Sequence, residues 1–108
     1  MRAMICQPMA GKTDEEIVNT RERAAQYLLD RGCEIVDTLL FTDEWYSKET
    51  NECDITNKGL FFLAKSLEQM SLCNIVYFCK GWEDYRRCRI EHAAATAYGL
   101  DVIYEEQP

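Results

Sequence analysis

The chain has no long hydrophobic run, no excess of basic charge and no CxxC pair or cluster of cysteines with histidines, and each absence removes a class of function. No apolar stretch approaches the roughly 20 residues needed to cross a bilayer. The first residues lack a basic leader followed by an apolar segment and a cleavage site, so they do not read as a signal peptide and the expected location is cytoplasmic. Twelve Lys and Arg stand against nineteen Asp and Glu, a net charge of −7. With no basic stripe, neither duplex nucleic acid nor a membrane surface is an expected partner. His92 is the only histidine and no CxxC pair occurs, so neither structural zinc nor another metal is expected. Internal repeats and low-complexity tracts are lacking as well.

What is present fits one domain. A chain of 108 residues, 47% hydrophobic and 29% charged, has room for a single core and too much apolar content for a disordered segment. Six cysteines would suggest a disulfide framework in a secreted chain. Cys6, Cys33, Cys53, Cys73, Cys79 and Cys88 are spread out, however, and Cys6 and Cys79 lie inside apolar runs. They are expected to be reduced, mostly buried thiols packing as small hydrophobes.

Short apolar runs alternate with segments of helical period. Ala3 to Cys6 reads as a first strand, ended by Gln7-Pro8. Thr13 to Glu16 spell a capping box that opens a helix whose inward face is Ile17, Ala24, Ala25, Leu28 and Leu29, with Gly32 as its stop. Glu34 to Thr38 is a second strand candidate. Leu60, Leu63, Ala64, Leu67 and Met70 mark a second helix, and Ile75 to Cys79 is the strongest strand signal. A third helix is expected from about Arg89 to Tyr98, with Ile90, Ala93, Ala94 and Ala97 inward, followed by a last strand over Val102-Ile103-Tyr104. This order, with central strands too apolar to leave a wet face, predicts a parallel sheet of order 2-1-3-4 with helices on both faces, a reduced flavodoxin-like three-layer sandwich. The one long irregular stretch, Leu39 to Lys58, with Trp45 and Tyr46, reads either as a lid or interface element or as a surface excursion.

Sheets of this kind bind ligands beyond the carboxyl ends of their strands, where the strand order reverses. Two loops face that point. The first, Gln7-Pro8-Met9-Ala10-Gly11-Lys12-Thr13, ends like a phosphate-binding loop, but the Walker pattern needs glycine where Cys6 stands, so nucleoside-triphosphate hydrolysis of that type is excluded. A loop opening a helix can still receive an anion, or Gly11 can simply ease the turn. The second runs from Lys80 through Gly81, Trp82, Glu83, Asp84, Tyr85, Arg86, Arg87 and Cys88 to Arg89. Its arginines suit phosphate or carboxylate oxygens and Trp82 offers a stacking face, unless the arginines only neutralise Glu83, Asp84 and Glu91. Glu91, expected in the first turn of the third helix, is either a dipole-stabilising glutamate or a nucleophile for a sugar carbon, with Asp84 or Glu83 as the second carboxylate. His92, about 100° further round, is expected to face solvent or a partner.

The segments Met4 to Lys12 and Gly81-Trp82-Glu83…Arg86…Cys88-Arg89-Ile90-Glu91-His92, with Ala95 and Ala97 to Leu100 beyond, resemble the DUF4406 family of small bacterial and phage proteins. That family is grouped with the nucleoside 2-deoxyribosyltransferase-like superfamily. The resemblance covers nearly the whole chain as a single domain. It implies a flavodoxin-like domain that binds a nucleoside or nucleotide, uses no cofactor, and forms a homodimer or higher homo-oligomer. It puts the nucleophilic glutamate on Glu91, the sugar site on Gln7, Pro8 and Met9, and a phosphate site on Arg86, Arg87 and Arg89. Two positions depart from the pattern. Ser66 stands near where the transferases carry a base-handling aspartate, and Arg87 stands where the small family usually has glycine. The expected function is therefore cleavage or transfer at the N-glycosidic bond of a (deoxy)nucleoside or its monophosphate. The alternatives are a nucleotide-binding or sequestering module without turnover, and an interaction protein that uses Trp45 and Tyr46.

Overall fold

The computed structural model describes residues 1–8, 11–36 and 56–105. The elements are β1 (Arg2–Cys6), α1 (Asp14–Asp30), β2 (Glu34–Val36), α2 (Lys58–Met70), β3 (Ile75–Phe78), a 3₁₀ turn (Trp82–Asp84), α3 (Arg86–Ala97) and β4 (Asp101–Tyr104). Most of the expected stretch from Leu39 to Lys58, with Trp45, Tyr46 and Cys53, lies outside the described residues, as does Met9.

The four strands form one sheet of order β2-β1-β3-β4, parallel throughout. The central register pairs Ala3 with Ile75 and Cys6 with Phe78. Side chains alternate across a strand, so each central strand feeds two cores. Ala3, Ile5, Ile75, Tyr77 and Cys79 pack with Ala24 and Leu28 of α1 on one face. On the other, Met4, Cys6, Val76 and Phe78 pack with Met70 of α2 and with Cys88 and Ala95 of α3. Because both faces of β1 and β3 are covered, neither strand shows the polar alternation of a half-wet sheet, as the apolar runs had suggested.

Local signals set the helix ends. Thr13 Oγ1 accepts from the Glu16 N–H at 3.1 Å while the Glu16 carboxylate reaches back to the Thr13 N–H at 3.4 Å, the capping box read from the sequence. Arg31 caps the C-terminus and Gly32 follows it. Asn57 caps α2, its Oδ1 accepting from the Leu60 N–H at 2.9 Å. Gly81, with φ of 90°, turns the chain out of β3 in a left-handed conformation that a β-carbon would strain.

The helix faces differ from expectation. Leu29 and Leu60 are exposed, and α2 buries Ser66 beside Leu63 and Met70. The third helix begins at Arg86, not Arg89, and buries Cys88, Glu91 and Ala95, while Ile90, Ala93 and Ala97 are exposed. Its apolar residues are mostly alanines spread around the axis, and burying a methyl group gives too little free energy to choose a face. The polar partners of Glu91 choose it instead.

Five cysteines among the described residues are buried and unpaired, as expected of packing thiols. Burial pushes the Cys79 thiol up to about 12 from 9.0, with the Glu105 carboxylate adding to the effect. The folded state thus holds this proton where the unfolded chain releases it. Its contribution to stability is whole below pH 9 and is lost as pH rises toward 12, by about 1.4 kcal/mol per pH unit for one such group. Urea midpoints between pH 8 and 11 are expected to fall along this limb, and Cys79→Ala to make it shallower without removing it, since burial also raises Cys73 to about 11 and Tyr77 to about 12. An equally steep limb in the variant would assign the loss to other groups.

No helix among the described residues is long and apolar enough to cross a membrane.

Candidate functional site

The strand order reverses between β1 and β3, and a cleft of about 500 Å³ opens between the starts of α2 and α3, beside Pro8 in the loop after β1. One wall comes from the start of α2, including Asn57, Leu60 and Phe62; the other is Tyr85, Arg86, Arg87 and Cys88, with Pro8 at the base of the first loop. Of the two loops expected to face the switch point, the first brings Pro8 and the second Tyr85 to Cys88 to this cleft, whose other wall is α2 on the same face of the sheet as α3.

Behind the second wall sits Glu91, 1% exposed. Being the sixth residue of α3, it lies beyond the first turn, where the helix dipole is effective, so the dipole account of this glutamate does not hold. Two side chains hold the carboxylate instead. The Cys6 thiol, at the end of β1, donates to Oε2 at 2.7 Å. Arg87 Nε lies 3.7 Å from Oε1, an ion pair one turn apart on the helix, while its Nη2 donates to the Gln7 carbonyl at 3.4 Å. Oε1 is buried and receives no hydrogen bond from the described residues, and neither does Arg87 Nε give one to them. One oxygen is therefore pinned and the other is held by charge alone, across a gap too wide for a hydrogen bond.

Cys88 completes the cluster, its sulfur within 4.8 Å of the Cys6 sulfur and of the carboxylate. Cys6 has one proton and two acceptors, Cys88 and Glu91. The hydrogen bond to Cys88, burial and the facing Glu91 charge together push the Cys6 thiol far up. The same hydrogen bond, helped by Arg87, lowers the Cys88 thiol against the effect of burial. The acidity of the pair is thus concentrated on Cys88, the residue that reaches the cleft.

The remaining residues singled out in the sequence divide. Gln7 is buried, and besides receiving Arg87 it donates from Nε2 to the Ile17 carbonyl at 2.9 Å. Pro8, Arg86 and Arg87 line the cleft. Gly11, with φ of 77°, is exposed at the approach to α1. Arg89 turns back to the Glu83 carbonyl at 2.8 Å, and Glu83 and Asp84 are exposed on the 3₁₀ turn; none of the three lines the cleft. Ser66 is buried in α2 and does not line it either.

Trp82 and His92 depart most from expectation. His92 does not simply face solvent: its ring stacks on Trp82 at 4.2 Å, meets Phe78 edge-on at 5.1 Å, and its Nε2 is hydrogen-bonded to the Tyr104 hydroxyl. With Glu91 turned inward, a 100° step puts His92 on the shoulder of α3 against β4. Its ring, together with Phe78 at 5.2 Å, engages the indole that the sequence suggested for a ligand base.

Cys6 and Cys88 were read from the sequence as packing residues only. The signal that was available is positional: Cys6 ends β1 on the face that α3 covers, and Cys88 precedes Glu91 by three residues, on the same side of the helix.

No protein-family model, no curated protein and no solved structure matches the chain.

Proposed function

We propose that the cleft binds a nucleoside or nucleoside monophosphate and that Glu91 attacks the anomeric carbon of the sugar, cleaving or transferring at the N-glycosidic bond. The observation that carries this reading is the state of the Glu91 carboxylate at the switch point: Oε2 oriented by Cys6, Oε1 without a hydrogen bond, and no water-exposed surface to solvate the charge. An anion so held is poorly compensated and correspondingly nucleophilic. The two loops resemble the DUF4406 family, and its grouping with the nucleoside 2-deoxyribosyltransferase-like superfamily supports the same reaction class.

In the reaction the Oε1–C1′ bond forms as the C1′–N bond breaks, and the base departs with the bonding electrons. Water or a second base then attacks C1′ and frees the carboxylate, and the proton that the attacking group loses neutralises the departed base anion through solvent. Arg87 covers Oε1, but its head group is held by long contacts and its side chain is 34% exposed. A phosphate arriving between Arg86 and Arg87 offers the guanidinium a better partner and draws it off Oε1. None of Glu83, Asp84 and Glu91 lines the cleft itself; the reading rests on Glu91 because it lies directly behind Arg87, which does.

A panel of nucleosides and their 5′-monophosphates, followed by chromatography for free base, tests this directly. Release is expected from a monophosphate and more slowly from its parent nucleoside. Arg86→Ala is expected to raise KM for the monophosphate about tenfold, the loss of one charge-assisted contact. Absence of base from every substrate would remove the enzymatic reading.

One observation favours the second reading, a module that binds a nucleotide without turnover: Glu91 is sealed behind Arg87 and Cys88. In that case a nucleotide at 100 times its Kd stabilises the fold by about 2.7 kcal/mol and is recovered intact.

A further inference from the structure

Residues 6 and 88 are far apart in the chain, and neither belongs to a spaced ligand motif, which is why the sequence alone pointed away from metal. The fold reunites them. The Cys6 and Cys88 sulfurs and a Glu91 oxygen lie within 4.8 Å of one another, all three side chains buried, at the junction of β1 and α3. The geometry points to a binding site for a thiophilic divalent cation, Zn²⁺ in particular, built from Cys6, Cys88 and Glu91.

Three arguments converge on this site. The first is size. Zn–S bonds of about 2.3 Å put two sulfurs on one tetrahedral ion roughly 3.8 Å apart, so donors within 4.8 Å of each other need only a modest contraction. Cys6 and Oε2, at 2.7 Å, open slightly when the shared proton leaves. The second is charge. Two thiolates and one carboxylate bring −3, a divalent cation brings +2, and Arg87 beside Oε1 supplies +1, so the loaded cluster is neutral in a place where an unbalanced ion would be costly. The third is the buried carboxylate itself, whose Oε1 has no hydrogen bond to surrender. Two sulfur donors select a soft or borderline cation over Mg²⁺ or Ca²⁺.

Loading exchanges protons for metal: the cation binds both sulfurs as thiolates, and the two thiol protons pass to the buffer. Three protein donors leave a fourth position for an exchangeable ligand, as in zinc sites that stay open. Cys88 lines the cleft, so that position communicates with the space the nucleotide would use. A carboxylate that holds a cation cannot attack a sugar, so zinc and turnover exclude one another at Glu91. The site itself does not depend on the glycosidic reading.

The test is a titration of the reduced full-length chain with Cd²⁺, followed by its ultraviolet sulfur-to-metal charge-transfer band, with Mg²⁺ as the comparison cation. One Cd²⁺ per chain is expected, with release of up to two protons. Affinity should fall at least tenfold in Cys6→Ser and in Cys88→Ser and be unchanged in Cys33→Ser, which removes a buried thiol outside the cluster. Since a core variant can lose its fold, X-ray absorption at the zinc edge of the loaded wild-type chain gives an independent readout, with two sulfur neighbours expected. Cadmium binding that survives both cluster substitutions overturns the proposal, as does a zinc spectrum without two sulfurs. So does a Cys6–Cys88 disulfide that persists under reductant and takes up no metal. Each readout is an equilibrium or spectroscopic one, so its failure is distinct from a failure of base release.

Discussion

Glu91→Gln is expected to abolish release of free base, by at least about 10³-fold in kcat, while leaving a folded chain that still binds nucleotide. The amide keeps the shape of the carboxylate and can still accept the Cys6 hydrogen bond through its oxygen. It has no anion to form a bond with the anomeric carbon, and loss of a nucleophile is among the largest single-residue effects in catalysis. Binding is expected to persist because Arg86 and the cleft walls are untouched. Single-turnover chromatography checks the rate and ligand-induced shifts in Tm check the binding. A sugar adduct on the Glu91 peptide of the wild-type chain, found by mass spectrometry and missing in the variant, would identify the attacking group. Base release unchanged by the substitution would rule Glu91 out.

Arg87→Ala should be costly to stability in a way that Glu91→Gln repairs. The substitution removes the one cation among the described residues that is paired with a carboxylate 1% exposed, leaving that charge buried without this partner. Breaking a fully buried pair costs about 3–5 kcal/mol; because Arg87 is itself a third exposed and screened by water, about 2 kcal/mol is expected. In Arg87→Ala/Glu91→Gln no buried charge remains, and most of that loss should return. Urea unfolding of the wild type, both single variants and the double variant closes the cycle. A coupling near zero would mean that Arg87 does not serve as the counter-charge of Glu91.

The architecture was legible because two periodicities and a few terminal signals agreed. Ile75 to Phe78 could only be a strand buried on both faces, the box at Thr13 could only open a helix, and the order of elements left one economical sheet. That topology also named the two loops in which a site was to be sought. The composition of the site did not follow from it. Periodicity places large apolar residues, and α3 has few; its alanines fit almost any rotation, so the inward face was misread and Ile90 was expected where Cys88 and Glu91 lie. Nor does a single chain of letters reveal which partners meet across the fold. Cys6 was an apolar residue in a strand until α3 was laid against it, and Trp82 was an available ring until His92 occupied one of its faces.

Gln7 gives the fold a property that neither loop has alone. Its side chain is tied to the Ile17 carbonyl in the first turns of α1, and its own carbonyl receives Arg87 from α3. Since α1 and α3 lie on opposite faces of the sheet, this one residue passes a tether around the end of β1. When a ligand draws Arg87 away, one end of the tether goes slack while the other still holds α1. Amide exchange in the first turns of α1, measured with and without nucleotide, is expected to report whether loosening one end of the tether is felt at the other.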